Sequence, residues 1–222
     1  MGQMVSFKRP DGQDCNGYLA SPAGSDKAPG VVVIQEWWGL NDQIKGVAER
    51  LARLGYRALV PDLYKGKLAL DMAEAKHMMA NLNFGDAANQ DVRGATQYLK
   101  QSSAKVGVVG FCMGGALTVL SAMYVKEANA CSSWYGFPPP EAGDVKTITT
   151  PLQLHLAEKD QAFSPDAARV LEGNLKAGNV PYESHWYDAG HAFFNEKGPN
   201  HDAACAKLAW ERTTDFFAKY LK

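Results

Sequence analysis

Gly110-Phe111-Cys112-Met113-Gly114-Gly115 has the spacing of a nucleophile elbow, with cysteine where G-x-S-x-G has serine. The glycines two positions either side of Cys112 let a strand and the following helix pack closely around a strained turn. The thiol then stands at a helix N-terminus. The positive end of that helix is expected to lower the thiol pKa and to stabilise negative charge as it develops. The plain alternative is a buried structural cysteine in a glycine turn.

A nucleophile needs a base, and the base needs a group to orient it. With an elbow of this kind the chain order is nucleophile, acid, histidine. Downstream of Cys112 stand His155, His185, His191 and His201. His155 and His185 fall inside strand patterns, and His201 opens the last helix. His191 lies in Ala189-Gly190-His191-Ala192-Phe193, a loop between strand and helix, and is the expected base. The acid should follow the preceding strand. Asp160 stands there, with Glu158 and Asp188 as rivals. Glu36 also stands out, because a carboxylate at the end of a buried strand is costly unless paired or protonated. The loop after it, Trp37-Trp38-Gly39, is the one that supplies an oxyanion-hole N–H in such enzymes. Trp37, Trp38, Phe111, Tyr135 and Phe193 are expected to wall the site, although aromatics at these places also suit ordinary core.

The elements that must carry these residues alternate. Residues 5–20 read as a β-hairpin turning at Pro10-Asp11-Gly12. Gly30 to Glu36 is a nearly continuous apolar run, the pattern of a strand buried on both faces of a parallel sheet. A helix follows from Asn41 or Asp42 through Leu54, then a strand at Arg57–Val60. Residues 71–100 are helical with a break near Asn83-Phe84-Gly85. Strands are expected at Val106–Val109, Ala130–Tyr135, Leu152–Leu156 and Tyr182–Tyr187. Helices are expected at Ala116–Tyr124, Asp166–Ala177 and Asp202–Leu221. This alternation predicts one α/β domain over residues 1–222, a mostly parallel sheet with helices on both faces and an N-terminal antiparallel hairpin. In such sheets the chemistry sits beyond the carboxyl ends of the strands.

Composition narrows the class. A length of 222 residues fits one domain with a full core. A net charge of -1 speaks against a nucleic-acid or polybasic membrane partner. No apolar run is long enough to span a bilayer, and the first residues reach Lys8, Arg9 and Asp11 without a signal-peptide core. The expectation is a cytoplasmic protein, a monomer or alternatively a dimer, whose four cysteines (Cys15, Cys112, Cys131 and Cys205) are free thiols. Neither metal-ligand spacing nor a nucleotide-binding glycine motif occurs, so no metal or cofactor is expected.

These motifs resemble the dienelactone hydrolase (carboxymethylenebutenolidase) family, cysteine hydrolases with the α/β-hydrolase fold. The likeness covers nearly the whole chain. It rests on Gln35-Glu36-Trp37-Trp38-Gly39, Gly55-Tyr56, Pro61-Asp62-Leu63-Tyr64, Gly110 through Gly115, Tyr135-Gly136, Glu158-Lys159-Asp160 and Tyr187 through His191. The resemblance implies Cys112 as nucleophile, His191 as base and Asp160 as orienter. It makes Glu36 an extra carboxylate able to take the thiol proton when substrate binds. It also implies an oxyanion hole from the Met113 and Trp37 N–H groups, and hydrolysis of small esters or lactones through a thioester. Two departures stand out. Family members that act on dienelactone hold its carboxylate with two arginines. The stretch from Lys65 to Met79 has none, and the place four residues after His191 is Asn195, which inherits the substrate-facing position; Lys65, Lys67 or Lys197 could stand in for the arginines, as point charges without the bidentate fork. Dienelactone itself is therefore a doubtful substrate. The alternative reading is a non-catalytic or redox-sensing domain of the same fold with a reactive thiol.

Overall fold

The computed structural model describes residues 2–222. Eight strands form one sheet: β1 (Gln3–Lys8), β2 (Asp14–Ala20), β3 (Gly30–Ile34), β4 (Arg57–Pro61), β5 (Val106–Phe111), β6 (Ala130–Trp134), β7 (Leu152–Lys159) and β8 (Tyr182–Gly190). Their order across the sheet is β1-β2-β4-β3-β5-β6-β7-β8. The hairpin β1–β2 is antiparallel and β2 joins β4 antiparallel; every other pairing is parallel. The expected parallel sheet with an N-terminal hairpin is what forms.

The central strands β3, β4, β5 and β6 are buried along their whole length. Burial on both faces explains why their sequences run apolar without alternating. Helices cover both faces. Leu99 of α4 (Arg93–Lys100) lies where a side chain at Gly30 would point, and Phe217 of α7 (Ala203–Leu221) does so at Gly107. Helix α1 (Asp42–Arg53) is capped by the Asn41 side chain, which accepts the Ile44 N–H, and buries Ile44, Val47, Ala48 and Leu51.

The chain leaves β3 for β4 on one side and returns for β5 on the other. The strand order therefore reverses between β3 and β5, opening a crevice at their carboxyl ends. Glu36 follows β3 there and Cys112 follows β5.

Some bounds differ from expectation. Strands β7 and β8 run about three residues further than their apolar patterns, because they pair with each other across a bulge at Ala157/Lys159. The helical stretch after residue 71 divides into α2 (Met72–Ala80) and α3 (Phe84–Asp86). A π-helical turn (Ala87–Val92) then leads into α4. Helix α5 (Met113–Tyr124) starts directly after Cys112, and α6 (Pro165–Ala177) follows an Ser164 cap. Among the described residues no helix is long and apolar enough to cross a membrane.

Candidate active site

Cys112 sits at φ 56° and ψ -117°, a left-handed backbone that non-glycine residues rarely adopt. A side chain on Gly110 would run into the Gly114 carbonyl, and one on Gly114 would meet the Ile34 carbonyl at 2.5 Å. The two glycines thus let α5 leave β5 at the angle that exposes the thiol to the crevice. Tyr135, after β6, and Ala192, beside His191, also carry positive φ, at 38° and 62°. Backbone strain of this kind concentrates at functional sites.

The fold brings Cys112, His191 and Asp160 into one hydrogen-bonded line. His191 Nε2 lies 3.1 Å from Cys112 Sγ, and its Nδ1 lies 2.9 Å from Asp160 Oδ2. An ionised carboxylate can only accept, so His191 donates from Nδ1 and presents Nε2 to the thiol. The other oxygen of Asp160 accepts the Ala162 and Phe163 N–H groups, each at 2.8 Å, which fixes the carboxylate to its own loop. The rival acids stand elsewhere. Glu158 is exposed, and Asp188 pairs with Lys159 at 2.6 Å on the surface.

Cys112 is only 8% exposed. Burial, and then the Glu36 carboxylate, push its pKa above the ordinary thiol range. The Met113 N–H, which donates to the sulfur, pulls the other way, and Asp160 adds a smaller upward push. The expected lowering by the helix N-terminus is therefore overturned, because desolvation and two nearby carboxylates outweigh one backbone donor. Neither the Met113 nor the Trp37 N–H takes a backbone carbonyl among the described residues.

Glu36 is buried, which raises its pKa. Asn195 and Tyr135 oppose that by donating to its two oxygens, at 2.6 and 3.2 Å. Asn195 also accepts the Lys197 N–H at 3.0 Å. Its amide is thus spent inside the protein, and the expectation that Asn195 faces substrate is corrected: it clamps Glu36.

The aromatic residues sort by burial. Trp37 and Trp38 are half-buried and meet edge to face at 5.5 Å. Phe111, at 0% exposure, stacks on Phe194 at 5.2 Å beneath the site and cannot be a wall. Phe193, also at 0%, packs on Tyr187 and Tyr135 and anchors the His191 loop. Both depart from the expected substrate-facing role because each side chain takes the core side of its backbone. Tyr135 is buried as well, but its ring meets His191 edge to face at 5.4 Å. His201 and His185 stand apart from the thiol, and His155 is sealed in the core.

Sequence reasoning missed Phe163, whose ring stacks on His191 at 5.6 Å. The available signal was its place three residues after Asp160, in the turn that the carboxylate organises. Phe137 meets Phe163 edge to face at 5.3 Å. Met113, Phe137 and Phe163 border an apolar cavity of about 350 Å³. A larger cavity, about 600 Å³, lies on the far side of Phe137 and Pro139, among Pro138, Pro140 and Val170, and contains no member of the line.

The model of the dienelactone hydrolase family matches residues 15–221. Protein usf of Aquifex pyrophilus is 35% identical over the full length of both chains. A carboxymethylenebutenolidase of Pseudomonas putida is 31% identical, covering 96% of this chain and 95% of its own. The fold matches that of a provisionally named dienelactone hydrolase from Klebsiella pneumoniae subsp. pneumoniae MGH 78578, with a TM-score of 0.88 at 24% identity, covering 99% and 100% of the two chains.

Proposed function

The chain belongs to the dienelactone hydrolase family of hydrolases and has the α/β-hydrolase fold, and from that premise we propose that it cleaves carboxylic esters or lactones with Cys112 as nucleophile. The observation that carries this reading is the unbroken line Sγ–Nε2–Nδ1–Oδ2 at the end of β5. His191 takes the thiol proton on Nε2 as the sulfur bonds to the ester carbonyl carbon. The carbonyl oxygen becomes an oxyanion, which the Met113 and Trp37 N–H groups receive; one such donor contributes about 3 kcal/mol. The tetrahedral intermediate collapses, the C–O bond breaks, and His191 returns its proton to the leaving oxygen. A water molecule then loses a proton to His191 and attacks the thioester. The C–S bond breaks, the acid leaves, and Cys112 regains its proton from His191. Asp160 holds the imidazole and stabilises its charged form throughout. The resemblance gives Glu36 the role of first proton acceptor, and here its two oxygens are held by Tyr135 and Asn195.

A cysteine at 8% exposure and with a raised thiol pKa is a poor redox sensor, since oxidation follows thiolate character and access. All four cysteines are free, so Cys112 forms no disulfide with another of them.

The test is hydrolysis of 4-nitrophenyl acetate with mass analysis of the quenched protein. An acyl adduct on Cys112 is expected, with activity abolished in Cys112→Ala and His191→Ala while circular dichroism is unchanged. Activity surviving in either variant overturns the assignment.

A further inference from the structure

Resting on this ester-hydrolase reading, we propose that the substrate is uncharged and that a hydrocarbon substituent beside its carbonyl occupies the cleft of about 350 Å³ next to Met113. Three independent features of the site support this.

First, the cleft adjoins the site through two of its neighbours. Met113 supplies both a cleft wall and an expected oxyanion donor, and Phe163 supplies both a wall and the face on which His191 stacks. A group bonded to a carbonyl above Cys112 therefore has the cleft as its neighbour. Second, the lining is apolar throughout. Met79, Leu82, Phe84, Phe137 and Phe163 face Met113 across it, and no charged residue borders it. Such a surface recovers free energy from methylene groups and offers nothing to a carboxylate.

Third, among the described residues no lysine or arginine acts on the thiol. Asn195, four residues after His191, is neutral, and its amide is spent on Glu36 and Lys197. Lys65 and Lys67 border a neighbouring cavity that shares only Leu82 with this cleft, and Lys65 acts on Asp91 instead. Lys197 is exposed. The charged groups that do act on Cys112 are Glu36 and Asp160, both acidic. A substrate carboxylate would add a third acid with no partner.

The experiment varies the substrate in three arms. In the first, 4-nitrophenyl acetate, butyrate and hexanoate keep the leaving group fixed. In the second, acetate esters of methanol, butanol and hexanol lengthen the alcohol side. In the third, the 4-nitrophenyl monoester of glutarate is compared with the pentanoate, its uncharged near-isostere. Complete desolvation of one methylene corresponds to about fourfold in kcat/KM. A rise approaching that per methylene is expected in the first or second arm, which tells whether the acyl or the alcohol side occupies the cleft. The glutarate ester is expected to be at least about tenfold slower than the pentanoate. Ala80→Trp tests the location, because Ala80 is exposed at the cleft rim on the last turn of α2 and can accept a large ring without disturbing the core. It should flatten the length dependence in whichever arm shows it.

If acetate is turned over through Cys112 but both length series are flat, or glutarate is preferred, this proposal fails and the ester-hydrolase reading stands. A length dependence that Ala80→Trp leaves intact overturns the assignment to this cleft. If no ester is hydrolysed, or Cys112→Ala retains turnover, the functional reading fails and takes this proposal with it.

Discussion

Cys112 is held in a backbone conformation that only strong surroundings can impose, and burial and then the Glu36 carboxylate push its thiol pKa up. The type and spacing of its neighbours made it legible in the sequence. The same is true of His191 and Asp160, because each follows a strand in the required order. The role of Asn195 was not legible, since an amide four residues after a histidine looks like any loop asparagine. Only the return of the His191 loop onto β3 brings it to Glu36, 159 residues away. Glu36 gives the sharpest residue-scale prediction. Its charge raises the thiol pKa, so Glu36→Gln should lower it and speed alkylation of resting Cys112 at neutral pH by about tenfold, the lower end of what an adjacent like charge does. Iodoacetamide labelling across pH, followed by peptide mass analysis, measures this. An unchanged profile would mean that Glu36 already carries a proton. Slower acylation in the same variant would instead mark Glu36 as the proton acceptor.

At the scale of elements, the elbow was the most readable piece, because close backbone approach requires Gly110 and Gly114. The π turn was not readable. Ala87-Ala88-Asn89-Gln90-Asp91-Val92 looks like ordinary helix, and its place coincides with a contact from far along the chain. Arg9, just past β1, is buried and donates to Asp91 at 3.1 Å, to Asp86 at 2.9 Å and to Asp11 at 2.8 Å. This pins the hairpin to the α3–α4 region that leads back to β5. Asp91 is itself buried, so removing its cation leaves a charge without a partner. Arg9→Leu is expected to cost about 3 kcal/mol in urea unfolding. A loss below about 1 kcal/mol would show that Asp91 finds a proton or water instead.

For the whole molecule, a buried polar network ties the far half of the sheet to the last helix. His155 Nδ1 lies 2.8 Å from Tyr187 Oη, and its Nε2 lies within 2.9 Å of Gln153 Oε1 and Thr213 Oγ1. Ser132 donates to Gln153, and Arg212 donates to Tyr187. Burial holds the His155 pKa well below its ordinary 6.5, with His185 and Arg212 adding to the effect. Below pH 6.5 the unfolded chain therefore binds a proton that the folded chain refuses, so stability falls as pH falls. The slope from this residue is up to about 1.4 kcal/mol per pH unit, and His155→Gln should remove it between about pH 6.5 and 5. Urea midpoints for both proteins at several pH values check this, and equal slopes would refute it. By itself the sequence determined the strand–helix alternation, the elbow and the order of the triad candidates. Those are set by local sterics and by the two periodicities, which act over a few residues. Tertiary structure alone decided which of the aromatics stay partly exposed and which are buried, which way the surroundings push the thiol pKa, and what Asn195 holds. Each of these depends on desolvation and on partners brought from distant strands, and neither is a property of the neighbouring sequence.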